Sequence, residues 1–263
     1  MAKPKRLLVI ADMHCGHEVG LMPPAWDSVR ERDKRKNCYV MRRTMWDWYK
    51  GRVSALKPDI IIVNGDAIDG RGEKSGGLEQ MYPDRQDQVE MAIDCILEAK
   101  TRKTKVLMSY GTNYHTGDYE DFENNIANDD RINAVKIGGE DTADINGLLV
   151  NYRHHIGSSS IPHGRHTAIA KERLWNLLWA EHDEYPRADA VIRSHVHYHA
   201  GAFGPAWVGM TTPALQGYGT RYGSRRMSGV VHIGVVIFDI YGKDDFSWRV
   251  PILRLPRHEA LSV

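Results

Sequence analysis

Apolar runs that stop abruptly on polar residues recur along this chain. "RLLVIADMH" (6–14) ends on Asp12 and His14, and "DIIIVNGDAIDG" (59–70) runs into a Gly65-Asp66 turn. "KVLMSYGTNYH" (105–115), "GLLVNYRHHIG" (147–157) and "DAVIRSHVHYH" (189–199) repeat the pattern. Continuous apolar runs of this length predict strands buried on both faces. Between them, Val89, Ile93, Ile96 and Leu97 in "DQVEMAIDCILEAKTR" have helix spacing, which predicts a helix there. "HTAIAKERLWNLLWAEHDEYPRA" (166–188) predicts an amphipathic helix with Leu174, Leu177 and Leu178 in the core and its charges on a solvated face. One or two further helices are expected in the charged, aromatic-rich insert at about 18–57, with "WDWY" (46–49) packing against a helix face. From about residue 200 onward, "AWVGMTTPALQ", "VVHIGVVIFDIYG" and "FSWRVPILRL" predict a strand-rich C-terminal part. No internal repeat or low-complexity linker divides the chain, so residues 1–263 are expected to form one α/β domain.

Composition adds constraints of class. Of 263 residues, 42% are hydrophobic and 26% charged, as in an ordinary globular protein long enough for a sizeable core. A formal charge of +1 gives no global attraction to polyanions or membranes. Cys15, Cys38 and Cys95 are scattered without a CxxC pair, which argues against a disulfide framework and fits a reducing compartment. The apolar run near the N-terminus is too short for a signal segment or a bilayer span. A cytoplasmic location with no membrane attachment is therefore expected. Charge is nevertheless concentrated locally, in Arg30 to Arg43 and in "GYGTRYGSRRMSG" (217–229). The second stretch carries Arg221, Arg225 and Arg226 without a nearby acid, and such arginines can clamp a phosphate through two parallel hydrogen bonds.

The chemistry lies at the strand ends, where α/β sheets gather ligand sites. Thirteen histidines are present, and several sit there beside carboxylates. In "RSHVHYHA", residues two apart on an extended strand would point His195, His197 and His199 to one side. Taken in order, the polar ends read "DMH" (Asp12, His14), "GDAID" (Asp66, Asp69), "GTNYH" (Asn113, His115), "HH" (His154, His155) and "SHVH" (His195, His197).

This ordered set resembles the calcineurin-like metallophosphoesterases, whose pattern is D-x-H, G-D-x-x-D, G-N-H, a lone His and G-H-x-H. The match runs from about Asp12 to His197. It departs from the pattern in the spread-out "GTNYH", the doubled histidine and Ser194 in place of a glycine. The resemblance implies a four-layer α/β/β/α sandwich, with mixed central sheets flanked by helices and the C-terminal strands in the second sheet. It implies two divalent metal ions, Mn²⁺ foremost, with Fe, Zn or Ni also accommodated by mixed nitrogen and oxygen ligands. By motif position, Asp12, His14 and His197 would hold the first ion. Asn113, one of His154 and His155 (His154 preferred) and His195 would hold the second, and Asp66 would bridge. His115 would assist at the phosphate or leaving oxygen, with Asn113 and His115 on one side of an extended loop, and Asp69 would orient a ligand histidine. His199 falls outside the pattern. The implied activity is phosphate-ester hydrolysis, foremost of a phosphodiester, with Arg221, Arg225 and Arg226 as candidate substrate contacts and DNA, RNA or nucleotides as candidate substrates. The alternatives are a phosphomonoesterase acting on a metabolite or phosphoprotein, and a non-catalytic scaffold that retains the fold.

Overall fold

The computed structural model describes residues 3–27, 36–117, 122–218, 220 and 231–254. Its first sheet is built on β1 (Lys5–Ile10), β2 (Ile60–Asn64), β3 (Lys105–Ser109) and β4 (Lys136–Gly138), four parallel strands in chain order. β11 (Val236–Gly242) and β12 (Asp245–Arg249) extend it antiparallel beyond β1. The second sheet runs β5 (Glu140–Ile145), β6 (Leu148–Arg153), β7 (Ala190–Arg193), β9 (Trp207–Thr211) and β8 (Ala200–Gly204), with parallel pairing at its centre. β10 (Ile233–Gly234) and β13 (Ile252–Leu253) form a small separate pair. The C-terminal strands thus divide between the sheets instead of belonging to the second alone.

Period-two alternation explains the layering. Leu7 and Val9 of β1, Ile62 of β2 and Val236, Phe238 and Ile240 of β11 point inward, onto Val150, Tyr152, Ile192 and Met210 of the second sheet. Their neighbours Leu8, Ile10, Ile61, Val63 and Ile237 point outward, where α1 (Lys36–Val53) and α2 (Arg85–Ala99) cover them. Both faces of the first sheet are buried, which is why β1 and β2 read as unbroken apolar runs. α5 (Gly164–Glu181) covers the far face of the second sheet. The result is the α/β/β/α sandwich with helix-flanked mixed sheets that the motifs imply.

The insert contributes α1, whose Met45, Trp46, Tyr49 and Val53 are core residues, so "WDWY" packs inward. Its basic stretch is less free than the sequence suggests. Arg42 is buried, pairing with Asp27 at 2.9 Å and donating to the Glu18 carbonyl at 2.6 Å, and Arg43 pairs with Asp47 one turn on. Most of "RERDKRK" lies outside the described residues. No helix among the described residues is long and apolar enough to cross a membrane.

α5 departs from expectation. Its buried residues are Ile169, Arg173 and Asn176, whereas Leu174 and Leu178 are exposed and Leu177 is half-buried. Polar anchoring overrides the apolar stripe. The Arg173 guanidinium donates to the Asn176 side chain and the Ala188 carbonyl, and Asn176 clasps Pro186 and Ala188 through their main chains.

Candidate metal centre

The carboxyl ends of β1, β2, β6 and β7 meet at one edge of the sandwich, where the chain turns sharply into its loops. Asp12, His14, Asp66, His195 and His197 account for five of the nine non-glycine residues at positive φ among the described residues. That region is strained for side chains other than Gly, and Asp, Asn and His are the types that enter it most readily. Such strain persists only where surrounding structure enforces it. Main-chain hydrogen bonds do so here: Asp12 N–H donates to the Gly65 carbonyl and His14 N–H to the Asp66 carbonyl, each at 3.0 Å. Gly65 adopts φ 78°, and a Cβ there would fall 2.5 Å from the His154 ring.

Three groups of ligand-capable atoms, each within 4.8 Å of one another, result: Asp12, His14 and His197; Asp66, His154 and His195; and His14, Asp69 and His115. Asp12 Oδ1 lies 3.2 Å from His197 Nε2 and 4.0 Å from His154 Nε2. Asp66 Oδ2 lies 3.0 Å from His154 Nε2, and Asp66 Oδ1 accepts from Thr112 N–H at 2.7 Å and from its hydroxyl at 3.2 Å. His154 Nδ1–H donates to the Asn64 carbonyl at 2.8 Å, fixing the ring with Nε2 inward. His14 Nδ1–H donates to Asp69 Oδ1 at 3.2 Å, which turns its Nε2 toward the site. His115 Nδ1–H donates to the Asp69 carbonyl at 2.7 Å, leaving Nε2 4.0 Å from Asp66 Oδ2.

The electrostatics divide the groups by protonation state. Burial pushes the Asp66 carboxyl up, but the His154 and His115 imidazoles outweigh it and hold the group well below the usual carboxylate range. Asp12 is lowered likewise, burial being overcome by the charge of His197. Burial, reinforced by neighbouring imidazoles, takes His14 and His195 down to about 4. His154 goes the other way: burial pulls it down, yet the Asp66 charge overrides this and raises it to about 10. The chain alone therefore holds ionised carboxylates, neutral His14 and His195, and a His154 protonated on both ring nitrogens.

These residues fit divalent cations. Asp12 Oδ1 and His154 Nε2 are fully buried and have no hydrogen-bond partner despite their close neighbours. Buried polar atoms are nearly always bonded, so this pair calls for a proton on His154 Nε2 or a cation in its place. Imidazole nitrogens mixed with carboxylate oxygens are the donor set of Mn, Fe, Zn and Ni sites.

Several expectations change. Beyond β7 the chain leaves the extended form, and His195 and His197 reach the site through left-handed turns instead of strand alternation. His199 turns away, its Nδ1–H donating to the Thr211 carbonyl at 2.8 Å. His155 is exposed, its ring tilted against that of His195, and only His154 enters the cluster. "GTNYH" is not an extended loop either. Asn113 to Thr116 form a single helical turn, α3, with Asn113 exposed, and Thr112 is the residue that reaches Asp66. Arg221, Arg225 and Arg226 lie outside the described residues.

Two residues without a motif hold the site together. Asn64, fully buried at the end of β2, donates to the Arg153 carbonyl at 3.0 Å and the Ser194 hydroxyl at 2.7 Å, and accepts from the Ser109 hydroxyl at 2.8 Å. Glu123, on α4 (Phe122–Asn128), accepts from Ala67 N–H at 2.9 Å and Gly111 N–H at 2.6 Å, bracing the loops on either side of Asp66. Burial pushes Glu123 up to about 8, although both amides oppose the shift. The only sequence signal for Asn64 was its place at the end of an apolar run, next to Gly65-Asp66.

A helix-flanked double sheet with Asp, His, Asp and three further His converging at its strand ends is the arrangement the sequence motifs imply. No protein-family model matches the chain, and no curated protein matches it. Among solved structures it is similar to wild-type Vps29 from Entamoeba histolytica complexed with zinc, at 12% identity over 94% of this chain and 98% of that one, with a TM-score of 0.46. A novel archaeal phosphodiesterase gives 12% identity, 94% and 99% coverage and a TM-score of 0.45. A conserved uncharacterized protein of Streptococcus pneumoniae TIGR4, described as a predicted phosphoesterase, gives 13% identity, 96% and 90% coverage and a TM-score of 0.41.

Proposed function

We propose that this chain is a metal-dependent phosphoesterase that hydrolyses phosphodiesters. The observation that carries the reading is the pair of buried, orphaned ligand atoms, Asp12 Oδ1 and His154 Nε2, each inside a three-residue cluster of carboxylate and imidazole. Asp12, His14 and His197 would hold one divalent ion, and Asp66, His154 and His195 a second. Asp12 Oδ1, in the first cluster, also lies 4.0 Å from His154 Nε2 in the second, and the motif position of Asp66 makes it the bridging carboxylate. Bound divalent ions supply Lewis-acid polarisation of a phosphoryl oxygen and lower the pKa of a water.

The chain's own residues do the rest. Asp69 fixes the His14 tautomer, as carboxylate partners of ligand histidines do. Thr112 holds Asp66 by two hydrogen bonds, which leaves Asp66 Oδ2 facing the clusters. Hydrolysis breaks one P–O ester bond, and the departing oxygen takes up a proton. His115 Nε2 faces the site while Nδ1 is tied to the Asp69 carbonyl, so Nε2 is the position from which a proton is delivered. Arg221, Arg225 and Arg226 enter the reading from the sequence alone, as contacts to a polyanionic substrate such as DNA or RNA.

Comparing bis-p-nitrophenyl phosphate with p-nitrophenyl phosphate, with Mn²⁺ added, tests the proposal. Faster diester cleavage, abolished by Asp66→Asn, is expected. Preference for the monoester would overturn the diesterase reading, and full turnover by Asp66→Asn would overturn the site itself.

A further inference from the structure

We infer that the outward face of α5 is a self-association surface, joining two copies of this chain by antiparallel packing of α5 on α5. This proposal is independent of the phosphoesterase reading. Leu174 and Trp175 are each 56% exposed, Leu178 45% and Trp179 47%, and the two indoles stack at 6.3 Å between centroids. Positions 174, 175 and 178 follow helix spacing, so they form one stripe, which residue 179 widens. The opposite side of the helix is spent on the Arg173–Asn176 anchor and on Glu172, which pairs with Arg153 and Arg193 at 2.7 Å each. The stripe therefore cannot rotate inward.

Its size suits an interface. A tryptophan carries up to ~250 Å² of surface, so two half-exposed indoles present roughly 250 Å². The leucines, with Tyr185 just beyond the helix at 39% exposed, add a comparable amount. A standard specific interface takes about 800 Å² from each partner, so the stripe supplies over half of one and its polar flanks the rim. The stripe's extent matches the largest apolar patch of a typical monomer, about 300–600 Å², and patches of that rank are often functional.

Self-complementarity selects the second copy as occupant. A two-fold axis on the stripe side, level with the step from residue 176 to 177, sets Leu174 against Trp179 of the other copy, and Trp175 against its Leu178. Each large indole thus meets a leucine, the alternation that lets facing side chains interdigitate. The same axis brings Lys171, exposed one turn before the stripe, to the turn carrying exposed Glu181 of the other copy. Two-fold packing repeats every such contact twice.

Sedimentation velocity of the full chain over a range of micromolar concentrations tests this. The expected species has twice the 29.9 kDa monomer mass. Trp175→Arg is expected to be monomeric with an unchanged circular-dichroism spectrum. Lys171→Glu and Glu181→Lys should each weaken association several-fold, and the double variant should restore it, as only an antiparallel two-fold arrangement predicts. A wild-type chain that stays monomeric, or a Trp175→Arg variant that stays dimeric, would overturn the proposal. So would a monomer that captures a different protein through Trp175, because the occupant would then not be a second copy.

Discussion

Replacing Asn64 with alanine removes a side chain that ties four strand ends together. Its amide bonds the end of β6 and the Ser194 loop after β7, while its oxygen receives the Ser109 hydroxyl at the end of β3. Three hydrogen bonds at a net ~0.5–1.5 kcal/mol each set the loss at about 3 kcal/mol. For a chain of this size that corresponds to a fall in Tm of roughly 6–12 °C. The assay is urea unfolding with chelator present, followed by tryptophan fluorescence, with the m-value expected to stay constant. His154 is anchored to the Asn64 main-chain carbonyl, which alanine retains, so Mn²⁺ affinity should fall less than it does in an Asp69 variant. Asn64→Asp should be worse than alanine, because a carboxylate cannot donate to Arg153 and would add a buried charge near Asp66. A loss below ~1 kcal/mol for Asn64→Ala would show that the two sheets hold the strand ends without this residue, and the reasoning would fail.

Other consequences are equally direct. His154 holds a proton up to about pH 10, whereas His14 and His195 are already neutral above about 4. Mn²⁺ binding should therefore release about one proton and tighten as pH rises from neutral toward that value. Titration calorimetry in buffers of different ionisation enthalpy measures the release, and pH-independent affinity would contradict it. Without metal the sign reverses. A histidine raised above 6.5 stabilises the fold fully below that pH, and its contribution disappears as pH climbs through about 10, so chelated protein should melt earlier in alkaline buffer. Gly111→Ala places a Cβ 2.1 Å from Asp66 Oδ1 and should cost about 1–3 kcal/mol of stability while abolishing hydrolysis, read by thermal melts and turnover. Asp69→Asn, which frees the His14 tautomer, should weaken metal binding about 10–100-fold with a near-normal melt, checked by competition with a chelating dye.

The sequence made legible what depends on local pattern. Runs of apolar residues announced β1 and β2, and their polar ends announced Asp12, His14 and Asp66, because a strand delivers its last residues to the sheet edge. Alternation in "RSHVHYHA" pointed to the right residues by the wrong geometry: left-handed turns and an extended strand can both bring every second residue to one side. The motif points to Asn113 where the fold uses Thr112, because the short helical turn shifts the contact by one position. Asn64 and Glu123 carry no spacing signature, since their partners lie up to 130 residues away and a buried amide looks like any loop Asn until the chain is folded. The α5 stripe misled for an opposite reason. Periodicity shows that a face is apolar, but not that an Arg–Asn anchor has already claimed the side toward the sheet.

The convergence of strand ends also sets when the pocket can exist. His14 and His197 meet across 183 positions, and His232, whose N–H donates to the His197 carbonyl, is later still. No contiguous half of the polypeptide contains both clusters, so a chain emerging from the ribosome lacks the full ligand set until His197 has been made. Long-range pairings of this kind form late because loop closure precedes their reward. With the ligands scattered along the chain, full affinity for a cation at these clusters would be a signature of completed folding.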